Sequence, residues 1–148
     1  NKAREKMSRL DKGTDVPEFT FDKLDGTPLS LKELKGKHLY IDVWATWCRP
    51  CIAEIPHLKK LESEFRNSNI EFVSISVDQN KAAWEKMAAE NTDCLQLHAS
   101  SQIAAEFKNH FMINGIPRFI LIDKDGKLIN ANAPRPSSPN IRSVLSQL

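Results

Sequence analysis

The chain has 148 residues, of which 41% are hydrophobic and 27% are charged, and its formal net charge is +2. A chain of this length fits one domain that buries well over half of the surface exposed when it is unfolded, and this ordinary composition excludes a fibrous or disordered protein. The 21 basic and 19 acidic residues are spread along the chain, which argues against a nucleic-acid-binding surface.

The first residues of the chain, "NKAREKMSRLDK", are basic. They predict a helical arm over residues 1–14, ahead of a single core domain over residues 15–148. No apolar run approaches the length that a membrane-spanning helix needs. Because the chain starts with neither an initiator Met nor the hydrophobic core of a signal peptide, we expect it to begin inside a longer precursor.

The first half of the core is predicted to form a βαβ unit. The segment "HLYIDVWA", residues 38–45, is almost wholly apolar, which is typical of a strand buried on both faces. A helix is expected from about Cys51 to Phe65, and "IEFVSISV", residues 70–77, reads as a second buried strand. The two strands should therefore be parallel, with a right-handed crossover. The apolar face of the helix is predicted to carry Ile52, Ile55, Leu58, Leu61 and Phe65.

The second half is predicted to contain helices followed by an antiparallel pair of strands. Asn80 is expected to cap a helix in "NKAAWEKMAAE", and a further helix is expected over Ser101–His110. The segments "RFILID" and "LINA", joined through the turn residues "DG", predict a hairpin. A closing helix is predicted with Ser138 as its cap and Pro139 at its first position. The whole pattern indicates an α/β domain.

The most specific chemical signal is "WATWCRPC", in which Cys48 and Cys51 lie at the junction of the first strand and its helix. A thiol at the start of a helix is close to unpaired N–H groups and to the positive end of the helix dipole, and both favour the thiolate. We expect Cys48 to be the exposed nucleophile and Cys51 to be the more buried resolving thiol. Arg49 adds a positive charge, and Pro50 suits a first helical turn because its missing N–H is not needed there.

Two other uses of the cysteine pair are weaker interpretations. A structural zinc site needs a second Cys pair or a closely spaced His pair. The remaining candidates are not spaced in that way: Cys94, His38, His57, His98 and His110. A purely structural disulfide across so short a loop would remove little chain entropy. We therefore predict no metal and no cofactor other than a redox-active Cys48–Cys51 disulfide. A lone Cys94 is by default a small buried hydrophobic residue.

Two segments of the chain resemble a known family. "YIDVWATWCRPC" and "GIPRFILIDKDGK" resemble the thioredoxin superfamily, and the form "WATWCxPC" with the following "EIPxL" resembles its TlpA/ResA-like branch of thiol–disulfide oxidoreductases. The resemblance covers residues 15–131. It implies a thioredoxin fold, with a central mixed β-sheet flanked by helices and an N-terminal β-hairpin addition. It also implies an extracytoplasmic location, in the periplasm or cell envelope, with a membrane or lipid anchor upstream.

The resemblance implies a thiol–disulfide oxidoreductase. We expect it to act as a reductant, and the sequence leaves the direction of electron flow in the cell open. Its partners would be protein thiol or disulfide substrates and an upstream electron donor, and we expect a monomer that binds no nucleic acid. A thiol peroxidase is one alternative, but such enzymes usually carry Thr three positions before the reactive Cys, where this chain has Ala45, and Thr46 is out of register. A non-catalytic binding domain of a surface protein is the other alternative. The intact cysteine pair and Pro117 argue against it.

Two acids match positions of the family's motifs. Asp42 matches the buried acid that relays a proton to or from the second cysteine, and an isolated carboxylate in an apolar strand is expected to have a raised pKa. Glu54 follows Cys51 by one helical turn and matches the acid that ResA-like members place near the sulfurs. The alternatives are that Asp42 is satisfied by a neighbouring Lys or by water, and that Glu54 is an ordinary exposed helix residue.

The resemblance also implies that the segment before Pro117 faces the disulfide, with a cis peptide between Ile116 and Pro117. The backbone of Ile116 would then offer its N–H and C=O groups to an extended substrate in the manner of an added strand. Trp47, Arg49 and Pro50 complete the expected substrate-binding residues. From the residues alone, an ordinary turn at "GIP" is the alternative.

Overall fold

A computed structural model describes residues 10–148 of the chain. Over this range the structure has seven strands, four α-helices and one 3₁₀ helix. The strands are β1 Thr20–Lys23, β2 Pro28–Ser30, β3 His38–Trp44, β4 Ile70–Ser76, β5 Leu95–His98, β6 Arg118–Ile122 and β7 Leu128–Asn130. The helices are a 3₁₀ helix Leu31–Leu34, α1 Arg49–Glu64, α2 Lys81–Ala88, α3 Ser101–His110 and α4 Ile141–Ser146.

All seven described strands form one mixed sheet in the order β2-β1-β5-β4-β3-β6-β7. Strands β3, β4 and β5 are parallel, and the other pairs are antiparallel. The predicted parallel pair, β3 with β4, and the predicted β6–β7 hairpin are both confirmed. The expected N-terminal hairpin is present as β1–β2, which joins the sheet through β5.

The core lies on both faces of the central strands. On β3, Leu39, Ile41 and Val43 belong to one buried cluster, and Tyr40 belongs to the other. Successive side chains of a strand point to opposite faces, so both faces of β3 are covered. This explains why the segment is apolar almost without interruption.

Helix α1 packs on the sheet with most of its predicted face: Leu58 and Leu61 are buried, and Phe65 packs against the core. Its buried residues are Cys51, Glu54, Leu58, Leu61 and Glu62, whereas Ile52 is 36% exposed. A helix that buries Cys51 also buries the positions three and seven residues later, because these lie on the same side. In the first turns of the helix the buried side therefore carries Cys51 and Glu54 instead of Ile52, and Glu54 is inside the protein.

Strand β5 was not predicted. No element is predicted from the sequence between Glu90 and Ser101, but Leu95–His98 pairs with β4 on one side and with β1 on the other. Its short alternation of Leu with polar residues carries a weak local signal, and its strand geometry depends on these two neighbours. Cys94 therefore directly precedes a strand of the sheet and is buried.

The ends of the helices agree with the sequence at two positions and differ at a third. The Asn80 side chain accepts the N–H of Ala83 at 3.1 Å, which confirms the predicted cap, and α3 has the predicted bounds. The closing helix begins later than predicted, with Asn140 in place of Ser138 at its N-cap. The N–H of Ile141 donates to the carbonyl of Ser138, so these residues form a turn before the helix.

The predicted N-terminal arm is mostly outside the described residues. Residues 10–14 form turns rather than a helix. The N–H of Gly13 donates to the carbonyl of Leu128 at 2.7 Å, and Asp15 makes an isolated bridge with Lys127. This first described stretch is therefore attached to the β6–β7 hairpin.

Candidate active site

The two cysteines of the CxxC motif lie at the start of α1. Cys48 is the N-cap residue of the helix and Cys51 lies in its first turn. The two form a disulfide, with their Cα atoms 5.2 Å apart. The backbone N–H of Cys51 points at Sγ of Cys48, at 3.3 Å. A backbone N–H directed at the sulfur stabilises a negative charge there, so the local structure favours a thiolate at Cys48 once the disulfide is reduced.

The disulfide is less exposed than the sequence predicts. Cys48 is 5% exposed and Cys51 is 3% exposed, so the expectation of an exposed Cys48 is wrong for the disulfide form. The segment before β6 lies against the sulfur, with the carbonyl oxygen of Ile116 3.7 Å from Sγ of Cys48. The Ile116–Pro117 peptide is cis, as predicted. This segment therefore faces the disulfide.

The loop that carries Cys48 is anchored by Asp78, a residue that the sequence analysis did not single out. Asp78 is 3% exposed, and its carboxylate accepts the N–H of Thr46 at 3.1 Å and the Thr46 hydroxyl at 2.7 Å. Asp78 follows β4, and the parallel pairing of Trp44 with Ser76 brings the ends of β3 and β4 to the same edge of the sheet. The detectable signal was an acid directly after a buried parallel strand, at the edge where Cys48 also lies.

Asp42 is a buried acid in the middle of β3. It is 7% exposed, and the only side-chain partner found for it among the described residues is the hydroxyl of Ser74, which donates to it at 3.3 Å. Burial raises the pKa of Asp42 to about 7; the negative charge of Glu54 also raises it, and the Ser74 hydrogen bond lowers it. The prediction of a buried acid with a raised pKa is confirmed. Its action on Cys51 stays a prediction.

A small cavity of about 20 Å³ adjoins Asp42 on the side of β4 and β5. It is also lined by Ser74 and Cys94, and by Ile55 and Leu58 of α1. Cys94 is 5% exposed, and burial raises the pKa of its thiol to about 12. This thiol is therefore protonated and shielded at neutral pH.

Glu54 is buried rather than an ordinary exposed helix residue. It is 8% exposed, and its carboxylate accepts the N–H of Ser137 at 3.0 Å and the Ser137 hydroxyl at 2.7 Å. It lies on the same side of α1 as Cys51. Glu54 therefore ties the start of α1 to the segment before α4, a connection that the sequence analysis did not predict.

A groove of about 790 Å³ begins beside the disulfide. Trp47, which is 70% exposed, and Ile116 both line it. The rest of its lining comes from the ends of β3 and β4, from α2 and from α3 and the loop after it. Arg49 and Pro50 are exposed at the start of α1 and do not line this groove. The structure thus brings Trp47 and Ile116 together, and leaves Arg49 and Pro50 on the other exposed part of the CxxC loop.

Within residues 10–148, no three or more His, Cys, Asp or Glu side chains gather in a way that would hold a metal ion. No helix in the same range is both long enough and apolar enough to cross a membrane.

Comparison with known proteins agrees with the geometry of the site. The model of the Redoxin family matches residues 11–146. The thiol-disulfide oxidoreductase ResA from Bacillus cereus (strain ZK / E33L) is 26% identical over 136 residues, which cover 92% of this chain and 78% of that protein.

Solved structures from Bacteroides vulgatus are also similar. The solution structure of a proposed thiol-disulfide oxidoreductase is 44% identical, with a TM-score of 0.82, and the match covers 95% of this chain and 92% of that one. The thioredoxin domain of a second thiol-disulfide oxidoreductase is 25% identical, with a TM-score of 0.82, covering 93% of this chain and 97% of that one. The fold is thus thioredoxin-like, and the chain belongs to the Redoxin family, as a thiol–disulfide oxidoreductase with Cys48 and Cys51 in CxxC spacing.

Proposed function

We propose that this oxidoreductase reduces disulfides of protein substrates, with Cys48 as the attacking thiol and Cys51 as the resolving thiol. The observation that carries the assignment is the Cys51 N–H directed at Sγ of Cys48, at the N-terminus of α1. This N–H and the helix dipole favour a thiolate at Cys48 over one at Cys51.

The proposed reaction proceeds by two exchanges. The Cys48 thiolate attacks one sulfur of the substrate disulfide, forming a mixed disulfide and releasing the other substrate sulfur as a thiolate that takes up a proton. Cys51 then loses its proton and attacks Sγ of Cys48, which releases the second substrate thiolate and closes the Cys48–Cys51 disulfide. Two electrons pass to the substrate, and a dithiol donor upstream must return two to Cys48–Cys51.

Asp42 and Glu54 are the proposed acceptors of the Cys51 proton. A group whose pKa lies near the working pH is suited both to accept and to return a proton, and the pKa of Asp42 is raised to about 7. Glu54 is the competing candidate because it lies on the same side of α1 as Cys51. Its carboxylate already accepts two hydrogen bonds from Ser137, which favours Asp42 for the relay.

The proposed substrate-binding residues surround Cys48. The Ile116 carbonyl lies 3.7 Å from Sγ, at the position where an extended substrate could pair with the backbone, and Pro117 follows it. Trp47 presents an exposed aromatic surface in the groove, and Arg49 and Pro50 present the exposed start of α1. We propose that these five residues contact the substrate segments on either side of its disulfide.

The setting of the protein in the cell is proposed from its resemblance to ResA. We propose an extracytoplasmic monomer in the cell envelope, held by a membrane or lipid anchor upstream of the described residues, and reduced by an upstream dithiol donor. The direction of electron flow is tested by the equilibrium potential of the Cys48–Cys51 couple in a glutathione or dithiothreitol buffer. Related couples span roughly −270 to −120 mV. A value near the lower end supports a reductant, and a value near the upper end contradicts the proposed direction.

We expect Cys48 to react faster than the other cysteines of the reduced protein. The N–H of Cys51 and the helix dipole act on Cys48, whereas the pKa of Cys94 is raised to about 12 by burial. A limiting pulse of iodoacetamide at pH 7, followed by mass-spectrometric mapping, should place most of the label on Cys48. Predominant labelling of Cys51 or Cys94 would contradict the assignment of the nucleophile.

We expect Asp42→Asn to slow resolution of a preformed mixed disulfide by roughly tenfold or more, because loss of a general base costs about 10²–10⁴ where that base is essential. Formation of the mixed disulfide should change much less, since the acid is proposed to serve Cys51. Rapid-quench measurement of both steps, at pH 7, tests this expectation.

Glu54→Gln is the matched variant for the competing acid. If Asp42 is the relay, this variant should resolve the mixed disulfide at close to the wild-type rate. If Glu54 is the relay, its resolution should be slower than that of Asp42→Asn. Wild-type resolution rates in both variants would rule out a proton relay through either acid.

A further inference from the structure

Arg118, the first residue of β6, makes a set of contacts that the site described so far does not use. Its Nη1 donates to the carbonyl oxygen of Phe111 at 3.2 Å and to that of Ala131 at 3.2 Å. Its Nη2 donates to the carbonyl of Met112 at 3.4 Å. One side chain therefore joins the end of α3, the residue that follows it and the segment after β7.

Two of the carbonyls that Arg118 binds, those of Phe111 and Met112, lie at the end of α3, where the last carbonyls have no partner within the helix. Met112 has φ 53°, in the left-handed region, and it closes the helix in a Schellman-type turn. In this turn the N–H of Ile113 donates to the carbonyl oxygen of Lys108 at 2.8 Å, and the N–H of Met112 donates to the carbonyl oxygen of Asn109 at 3.3 Å. The carbonyls of residues 111 and 112 lie beyond these bonds, at the negative end of the helix dipole, where a guanidinium is favourable.

The segment controlled by these bonds is the one that reaches the disulfide. Residues 112–116 connect the end of α3 to the Ile116 carbonyl, which lies 3.7 Å from Sγ of Cys48. At the far end of this segment, Arg118 is itself held in the sheet opposite Val43 of β3. The side chain of Arg118 reaches back to the first residue of the segment. The guanidinium of Arg118 therefore fixes the start of the segment, and the backbone of Arg118 fixes its end.

We propose that Arg118 is a positioning residue for substrate exchange, which holds residues 112–116 so that the Ile116 backbone meets the substrate beside Cys48. This rests on the proposed role of Ile116 in substrate binding. Two of the three carbonyls follow α3 and the third follows β7, and the planar, multiply donating guanidinium reaches them together. A Lys ammonium, which is a compact point charge on a flexible stem, would bind fewer of them.

The test compares a protein substrate with a small thiol in Arg118→Met and Arg118→Lys. Reduction of the Cys48–Cys51 disulfide by dithiothreitol needs no strand-like pairing with Ile116, whereas reduction of insulin disulfides does. We expect kcat/KM for insulin to fall roughly tenfold in Arg118→Met, mainly through KM, since small misplacements of a binding group cost up to about 10²-fold. The rate with dithiothreitol should stay within twofold of wild type. For Arg118→Lys we expect a kcat/KM for insulin between those of wild type and Arg118→Met.

Arg142→Met is the control, because Arg142 also donates two hydrogen bonds, to Glu64, at an exposed position on α4. It should leave both reactions unchanged. An insulin-to-dithiothreitol ratio within twofold of wild type in both Arg118 variants overturns the proposal. Equal losses in both reactions overturn it as well, because they indicate a general structural role. If Arg118→Met does not fold, Arg118→Lys decides. Failure of the wild-type protein itself to reduce insulin would instead contradict the proposed function.

Discussion

Cys48→Ser is expected to abolish disulfide reduction, with a loss of roughly a thousandfold or more, since removing a nucleophile leaves only the weak residual catalysis of the rest of the site. The serine hydroxyl does not ionise near neutral pH, so the N–H of Cys51 and the helix dipole would have no thiolate to stabilise. Insulin reduction with dithiothreitol as the electron donor measures the loss directly.

Cys51→Ser is expected to fail at the second step. Cys48 can still attack the substrate, but no internal thiol remains to release it, and mixed disulfides should accumulate at Cys48. Non-reducing gels and mass spectrometry of the adduct detect this species. In a Cys48→Ser variant, a mixed disulfide could form only at Cys51. Its formation as fast as that of the adduct in Cys51→Ser would contradict the assignment of the two cysteines.

Cys94→Ala is the matched control for both variants. Cys94 is a buried thiol that takes no part in the disulfide, so its removal should leave insulin reduction unchanged. A loss of activity in this variant, at unchanged stability, would show that a third thiol takes part in the exchange.

Asp42→Asn is expected to stabilise the oxidised protein at neutral and alkaline pH. The pKa of Asp42 is about 7 in the folded protein, against an ordinary value of 3.8, because burial disfavours the charged form. Between these two values the folded state binds more protons than the unfolded state, so stability falls as pH rises from about 4 to about 7 and then levels off. The shift corresponds to at most about 4 kcal/mol, and the uncharged Asn would recover the part of it that burial of its own amide does not offset.

Urea unfolding at pH 4, 5.5, 7 and 8.5 tests this expectation. The free energy of unfolding of Asp42→Asn should exceed that of wild type by almost nothing at the lowest pH and by the largest amount above pH 7. Glu85→Gln, at an exposed position on α2, is the control and should follow the wild-type curve. If the free energies of unfolding of Asp42→Asn and wild type differ by the same amount at every pH, Asp42 does not titrate as the structure indicates.

The same acid links stability to activity. The ionised carboxylate needed to accept a proton from Cys51 is the form that burial disfavours, so any gain in stability from Asp42→Asn should be accompanied by slower resolution. A stabilised variant with wild-type resolution would mean that Asp42 is buried for reasons other than proton transfer.

Much of the fold could be read from local patterns. The apolar runs of β3 and β4, the Asn80 cap and the hairpin of β6 and β7 all carry signals within a few residues, and the structure has each of them. Strand β5 carries too weak a signal of its own. It is a strand because β4 and β1 supply its hydrogen-bond partners, and those lie far away along the chain.

Local pattern is enough to locate the CxxC pair between a buried strand and a helix and the buried acid at Asp42, and the family resemblance adds the segment before Pro117 that meets Cys48. How these parts are held depends on the tertiary structure. Asp78 holds Thr46 across 32 positions of the chain, and Glu54 holds Ser137 across 83. Such contacts leave no periodic pattern, because they depend on which strand and helix ends the folded sheet brings to the same edge. For the same reason the buried side of α1 includes Glu54 and leaves Ile52 exposed, which a purely apolar periodicity cannot reveal.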